Sequence, residues 1–278
     1  MVADRSLSPE EYQSFQEFLQ KTCGIVLGDK KHYLVTSRLI GLLEEFGVAS
    51  VSELIRRLRT DSTSGLRERV IEAMTTNETF WFRDGFPFEI YKNQLLPELA
   101  AKKQPSIKIW CAACSTGQEP YSLSMATNEY MQTKPGSLTS GVQIVGTDIS
   151  PAVLREAQAA RYDQLSIARG LSPERKQRFF TPSPDGRFEV RPEVRQRVSF
   201  RSLNLLQSYS LMGKFDIIFC RNVLIYFSID SKRDIVERLA QALNPGGYLF
   251  LGASESMAGL STGFEMVRCN PGVMYRKK

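Results

Sequence analysis

The sequence predicts an α/β chain in which an all-helical N-terminal region precedes a mostly parallel sheet covered by helices, with a small antiparallel β insertion. Three observations predict it. Residues 1 to about 75 repeat apolar side chains at helical spacing without a strand signal, and from Ile107 onward short β-branched runs alternate with helical segments. Arg178 to Phe200 then interrupts that alternation with two short β-rich pieces among turn residues. With 278 residues and 42% apolar content, the chain can bury a core unaided.

Ser8-Pro9-Glu10-Glu11 is a capping box with proline at the first helical position, and Tyr12, Phe15, Phe18 and Leu19 continue at helical spacing to Gly24. Lys30 to Phe46 repeats the pattern through Leu34, Leu39, Ile40 and Leu43 as one helix ending at Gly47. Ser50 to Glu53 is a second capping box opening a short helix through Leu58, and Leu66, Val70, Ile71 and Met74 predict a fourth. Thr75 to Asp84, TTNETFWFRD, breaks the pattern as a connection that packs its aromatics and presents polar groups. Residues 1–85 are therefore expected to form a helical domain with its linker, and 86–278 a second domain carrying the insertion at about 176–200.

Phe86 to Leu99 is helical, and Lys102 to Ser106 is a polar linker into the first strand at Ile107. Val142 to Thr147, Val198 to Phe200, Phe215 to Cys220 and Tyr248 to Leu251 follow as strands, with helices from Ser150-Pro151 to about Ala160 and from Asp230 to Leu243. The insertion is expected from Arg187–Val190 and Arg197–Phe200, separated by Pro192 and preceded by Pro182-Ser183-Pro184-Asp185-Gly186.

No apolar run approaches the ~20 residues of a membrane helix, and Met1 to Ser14 lacks a signal-peptide core, so a cytoplasmic protein is expected. Five cysteines without a secretion signal point to reduced thiols. The net charge of +6 favours an acidic partner, without distinguishing nucleic acid, an anionic membrane or an acidic protein.

The stretch Ile107 to Pro120, IKIWCAACSTGQEP, runs a buried strand into a loop of small residues and then into a helix beginning at Pro120. Backbone can approach a ligand closely there, at the place where α/β sheets bind nucleotide-like molecules. Asp148 ends the second strand, where an acid can accept both hydroxyls of a ribose; it also reads as a helix N-cap before Pro151. Glu119 could bind an amino group of a ligand or serve as a first-turn acid favoured by the helix dipole. Asn204-Leu205 after the third strand could hold a purine or form a simple turn.

CAACSTGQE has one glycine where a pyrophosphate-binding G-x-G-x-x-G needs three, and no Gly-Lys-Ser/Thr of a P-loop is present. A ligand with a ribose and no phosphates, such as S-adenosylmethionine, matches better. Cys111 and Cys114 have no second pair of cysteines or histidines to complete a zinc site, so no metal is expected. His32 is the only histidine, which argues against a Ser-His-Asp or Cys-His catalyst.

In this order and spacing TTNETFWFRD, CAACSTGQEPYSL, VGTDIS and FDIIFCRNVLIYF resemble the bacterial chemotaxis receptor methyltransferases, the CheR family, over essentially the whole chain. The resemblance implies a class I, Rossmann-like S-adenosylmethionine-dependent methyltransferase domain with a small β-subdomain, behind a helical domain. It also implies methyl transfer to receptor glutamates, giving glutamate 5-O-methyl esters and S-adenosylhomocysteine for sensory adaptation. Carried over by position, it places cofactor contacts at Asn77, Thr79, Arg83, Glu119, Asp148, Asn204, Leu205, Arg221 and Asn222.

A glutamate of pKa near ~4.3 is already a nucleophile at neutral pH, so the missing histidine is no obstacle. Arg83 and Tyr226 are expected to align the acceptor carboxylate, with Arg83 positioning more than accelerating.

Two departures from the resemblance shape the partner expectation. Lys30 to Phe46 mixes Lys30, Lys31 and Arg38 with Glu44 and Glu45, so docking on acidic receptor helices is expected to draw also on Arg56, Arg57 and Arg59. The Pro182 to Gly186 loop is short, and independence from a receptor C-terminal pentapeptide is expected, with the enzyme a monomer. A nucleic-acid methyltransferase is the rival within the same fold, but Arg221-Asn222-Val223-Leu224 replaces the Asn/Asp-Pro-Pro-aromatic motif of base-nitrogen enzymes. A silent S-adenosylmethionine-binding module is the rival from another class.

Overall fold

The computed structural model describes residues 7–60, 65–102, 105–139 and 141–278. Lys103 and Gln104 of the expected linker, and the first six residues of the polar N-terminal stretch, lie outside them. The chain divides into two compact units, Met1–Thr76 with Tyr226–Ser231, and Asn77–Ile225 with Lys232–Lys278.

The first unit contains α1 (Pro9–Cys23), α2 (His32–Leu39), α3 (Gly41–Glu45), α4 (Val51–Thr60) and α5 (Leu66–Met74). The Ser8–Glu11 capping box is formed reciprocally, and Gly24 closes α1 in the left-handed conformation. Tyr12, Phe15, Leu19 and Cys23 are buried as α1 packs against α4. The single helix expected over Lys30 to Phe46 is two, because the ladder shortens to an i to i+3 bond from Leu43 N–H to the Ile40 carbonyl at 3.2 Å. At α4, Ser50 Oγ accepts from Glu53 N–H, but the Glu53 carboxylate caps Ala49 N–H at 2.9 Å instead of Ser50. Arg38 donates to the carbonyls of Met74 and Thr75 at 2.6 and 3.2 Å, tying α2 to the end of α5.

The second unit opens with α6 (Phe86–Ile90), a π turn over Tyr91–Leu95 and α7 (Leu96–Ala101). Pro97 explains the π turn: it has no N–H, and the ladder shifts so that Leu96 N–H bonds the Tyr91 carbonyl. There follow β1 (Ser106–Ala112), α8 (Gln118–Thr133), β2 (Gly141–Asp148) and α9 (Pro151–Ala159). The insertion comprises β3 (Arg161–Tyr162), α10 (Gln164–Ala168), α11 (Pro173–Phe179), β4 (Phe180–Pro182), β5 (Phe188–Val190) and α12 (Pro192–Arg195). The unit continues with β6 (Val198–Ser202) and β7 (Phe215–Cys220), then α13 (Ile229–Ala242), which begins in the first unit, and β8 (Leu243–Leu251), β9 (Phe264–Arg268) and β10 (Val273–Lys277).

The main sheet has the order β6-β2-β1-β7-β8-β10-β9, with β10 alone running against the other strands and pairing antiparallel with both β8 and β9. Ala112 stands level with Thr147 on one side and Cys220 on the other, so the loops leaving these strands share one edge. Ile107, Ile109, Ile217, Phe219 and Phe250 are buried in its core. Antiparallel pairing in the insertion joins β5 to β3 and β4. Val198–Phe200 lies in β6, which pairs in parallel with β2 as expected of a main-sheet strand, so Arg197–Phe200 is not the second piece of the insertion that was also expected of it. A β-rich pentapeptide at a sheet edge alternates too weakly to reveal its direction.

Candidate active site

The turn after β1 is left-handed at Ala113, Ser115 and Gly117, with φ of 59°, 50° and 92°. A Cβ on Gly117 would meet Ala157 Cβ at 2.9 Å, and one on Gly146 would meet Cys114 Sγ at 2.9 Å. Both glycines let this turn lie close over β2 and α9. The turn presents Ser115 N–H to Asp148 Oδ2 at 2.8 Å, while Asp148 Oδ1 accepts from Ser150 N–H at 3.0 Å. Burial raises the Asp148 carboxyl above its ordinary range, against the pull of these N–H groups. Ser150, not Asp148, caps α9.

Three other predicted residues, Asn77, Asn204 and Leu205, are brought to this cluster by backbone bonds. The Asn77 carbonyl accepts from Ser115 Oγ at 2.8 Å, and Leu203 N–H donates to the Asp148 carbonyl at 3.0 Å, which places Asn204 and Leu205 beside the end of β2. Leu205 is buried and Asn204 half-buried, with Asn204 Oδ1 accepting from Leu206 N–H at 3.0 Å.

A second cluster forms around Arg221, directly after β7. Its side chain is only 2% exposed; Nη1 donates to Glu119 Oε2 at 2.8 Å, and Nη2 donates to Asp84 Oδ2 at 2.6 Å and to the Arg83 carbonyl at 2.9 Å. Its Nε is buried without a hydrogen-bond partner. Burial pushes the Glu119 carboxyl up, and the Arg221 guanidinium limits that rise. The Cys111 thiol hydrogen-bonds the same carboxylate, and burial followed by the charge of Glu119 pushes that thiol's pKa up. This thiol is a protonated donor, not a nucleophile.

Arg83 and Thr79 lie on the aromatic segment and are half-buried. Arg83 Nη1 donates to the Glu78 carbonyl at 3.0 Å, and its guanidinium lies 5.5 Å from the Phe80 ring. Trp81 and Phe82 are buried: Trp81 meets Tyr162 and Phe180 edge-on, and Phe82 N–H donates to Ser122 Oγ at 3.1 Å. Asn222 is left-handed at φ 58°, its N–H held by Glu255 Oε2 at 2.8 Å. Tyr226 falls in the first unit, where its carbonyl accepts from Val26 N–H at 2.9 Å.

Sequence reasoning missed Asp84, Ser115 and Glu255. Asp84 ended the quoted aromatic motif, and its charge beside Arg83 was the available signal; Ser115 acts through its backbone, which no side-chain pattern reveals.

The CheR methyltransferase SAM binding domain model matches residues 77–273, and the CheR methyltransferase all-alpha domain model matches residues 10–75. The chain is 55% identical to chemotaxis protein methyltransferase 1 of Pseudomonas aeruginosa over 98% of its length and 100% of that protein. It is also 55% identical to chemotaxis protein methyltransferase 1 of Vibrio cholerae, over 98% of each chain. The chemotaxis protein methyltransferase of Escherichia coli is 33% identical over 96% of this chain and 91% of that protein. These matches run through both units, and the parallel sheet with its antiparallel strand pair is a class I methyltransferase domain. The chain therefore belongs to the CheR methyltransferase family and is an S-adenosylmethionine-dependent methyltransferase.

Proposed function

We propose that this enzyme methylates glutamate side chains of chemotaxis receptors, producing glutamate 5-O-methyl esters and S-adenosylhomocysteine for sensory adaptation. The observation that carries this is 55% identity along the full length of proteins named chemotaxis protein methyltransferase.

The strand-end residues fit an adenosyl cofactor without phosphates. Two carboxylates, Asp148 and Glu119, stand where a phosphate-binding site would need donors, and the Arg221 guanidinium is already paired to Glu119. Each Asp148 oxygen accepts from a backbone N–H and keeps acceptor capacity for a ribose hydroxyl. Asn204 and Leu205 would border the adenine; Asn77, Thr79, Arg83, Glu119, Arg221 and Asn222 would enclose the remainder. Arg221 reaches that role mainly by fixing Glu119 and the Arg83 carbonyl.

When bound, S-adenosylmethionine supplies a methyl group on a positively charged sulfur. Because a glutamate carboxylate near pKa ~4.3 is already ionised, no residue of this chain has to remove a proton. Arg83 and Tyr226 orient the acceptor carboxylate. Arg83 must hold the acceptor loosely, since charge is lost on the way to the transition state.

The partner is the acidic helical cytoplasmic region of a receptor, met by a monomeric cytoplasmic enzyme that does not depend on the receptor's C-terminal pentapeptide and does not act on nucleic acid. Lys30, Lys31 and Arg56 are exposed, while Arg38 is committed to α5 and Arg57 to Glu53. The direct test is incubation with receptor-containing membranes and radiolabelled S-adenosylmethionine. Label released as methanol by base supports a glutamate ester; base-stable label or no transfer refutes it.

A further inference from the structure

The carboxylate of Glu255 accepts from three backbone N–H groups on two loops. Oε2 takes Gly252 N–H at 2.7 Å and Asn222 N–H at 2.8 Å, and Oε1 takes Ile225 N–H at 3.3 Å. Glu255 N–H also bonds the Gly252 carbonyl at 2.9 Å, so the loop after β8 closes on itself as it grips the loop after β7. The fit is close. A Cβ on Gly252 would lie 2.7 Å from Asn222 Nδ2, 2.8 Å from Asn222 N and 2.8 Å from Glu255 Oε2.

We propose that Glu255 is a positioning residue for methyl transfer, acting through the backbone of Asn222 and Ile225. Asn222 is left-handed at φ 58°, a conformation that asparagine tolerates better than other side-chain-bearing residues but that its surroundings still have to hold. The bond from its N–H to Oε2 does so, and the bond from Ile225 N–H to Oε1 fixes the residue immediately before Tyr226. One oxygen therefore sets the cofactor side of this loop and the other its acceptor side. The inference rests on the proposed roles of Asn222 at the cofactor and Tyr226 at the acceptor.

The two oxygens can be separated experimentally. In Glu255→Gln the amide oxygen can take the place of Oε2 and keep the bonds to Gly252 and Asn222, whereas the amide NH2 cannot accept from Ile225 N–H. Glu255→Ala removes all three bonds. We would titrate the full chain and both variants with S-adenosylhomocysteine by calorimetry, and measure kcat with radiolabelled cofactor and receptor membranes well below each melting point.

Glu255→Gln is expected to keep the Kd for S-adenosylhomocysteine within about threefold of wild type while kcat falls about tenfold. Glu255→Ala is expected to weaken binding at least about tenfold as well. Wild-type binding with both variants unchanged would overturn the positioning role alone, as would equal losses of affinity and kcat in both variants. Wild type that fails to bind S-adenosylhomocysteine would bring down the cofactor reading together with this inference.

Discussion

Arg221 Nη1 and Glu119 Oε2 are 2.8 Å apart, joining the residue that follows β7 to the first turn of the helix that follows β1. The same guanidinium reaches Asp84 and the carbonyl of Arg83, so one buried cation ties the aromatic segment to two strand ends. Arg221→Met should therefore cost about 3 kcal/mol in urea unfolding at neutral pH, because a buried carboxylate loses its partner. It should also weaken S-adenosylhomocysteine binding at least about tenfold. Adding Glu119→Gln should recover about 1 kcal/mol of the stability loss. A single-variant loss under about 0.5 kcal/mol would remove Arg221 from this role.

Asp148 sets an expected pH dependence. Its ionised form would accept the ribose hydroxyls, and burial raises its pKa, so it protonates at a higher pH than a free aspartate near ~3.9. Affinity for S-adenosylhomocysteine should fall as pH drops through that raised value and level off above it. Asp148→Asn should bind at least about tenfold more weakly at pH ~7 and lose the acid limb assigned to Asp148. An unaltered profile in the variant would contradict the assignment.

Gly170 tests how the insertion supports the aromatic segment. Its φ is 92°, and a Cβ there would lie 1.9 Å from the Trp81 carbonyl oxygen. Gly186 has φ 78° but nothing within 4 Å of a Cβ. Gly170→Ala should destabilise the enzyme by about 2 to 3 kcal/mol, against about 1 kcal/mol for Gly186→Ala. Equal melting shifts would mean that the contact with Trp81 yields easily.

Receptor methylation should be salt-sensitive. Lys30, Lys31 and Arg56 are exposed, and charges on an exposed surface are screened over roughly 8 Å at physiological ionic strength. Replacing all three with Glu should raise KM for receptor membranes several-fold, roughly a factor of 5, and flatten its salt dependence, with affinity for S-adenosylhomocysteine unchanged. A KM independent of both salt and substitution would rule out charge steering.

Local chemistry was readable where it was contiguous in the sequence. The Ser8–Glu11 capping box, the small-residue turn after β1 and Asp148 at the end of β2 all occupy the structural positions their residue types suggested. Partnerships across long sequence separations were not readable: Arg221 meets Asp84 across 137 positions, and each residue alone resembles an ordinary surface charge. The antiparallel pair β9 and β10 also escaped, because Met266 on β9 is 54% exposed and blurs the apolar alternation. Asn270-Pro271-Gly272 between them was the turn signal available. Lys30 to Phe46 read as one helix because apolar spacing continues through Ile40, where the hydrogen-bond ladder changes.

The location of the cofactor is tested most directly by a crystal structure of the enzyme with S-adenosylhomocysteine. The account predicts density at the carboxyl edge of β1 and β2, with both ribose hydroxyls on the Asp148 carboxylate and the methionyl portion bordered by Glu119 and Arg83. Density elsewhere, or at that edge with Asp148 turned away from the ribose, would contradict it.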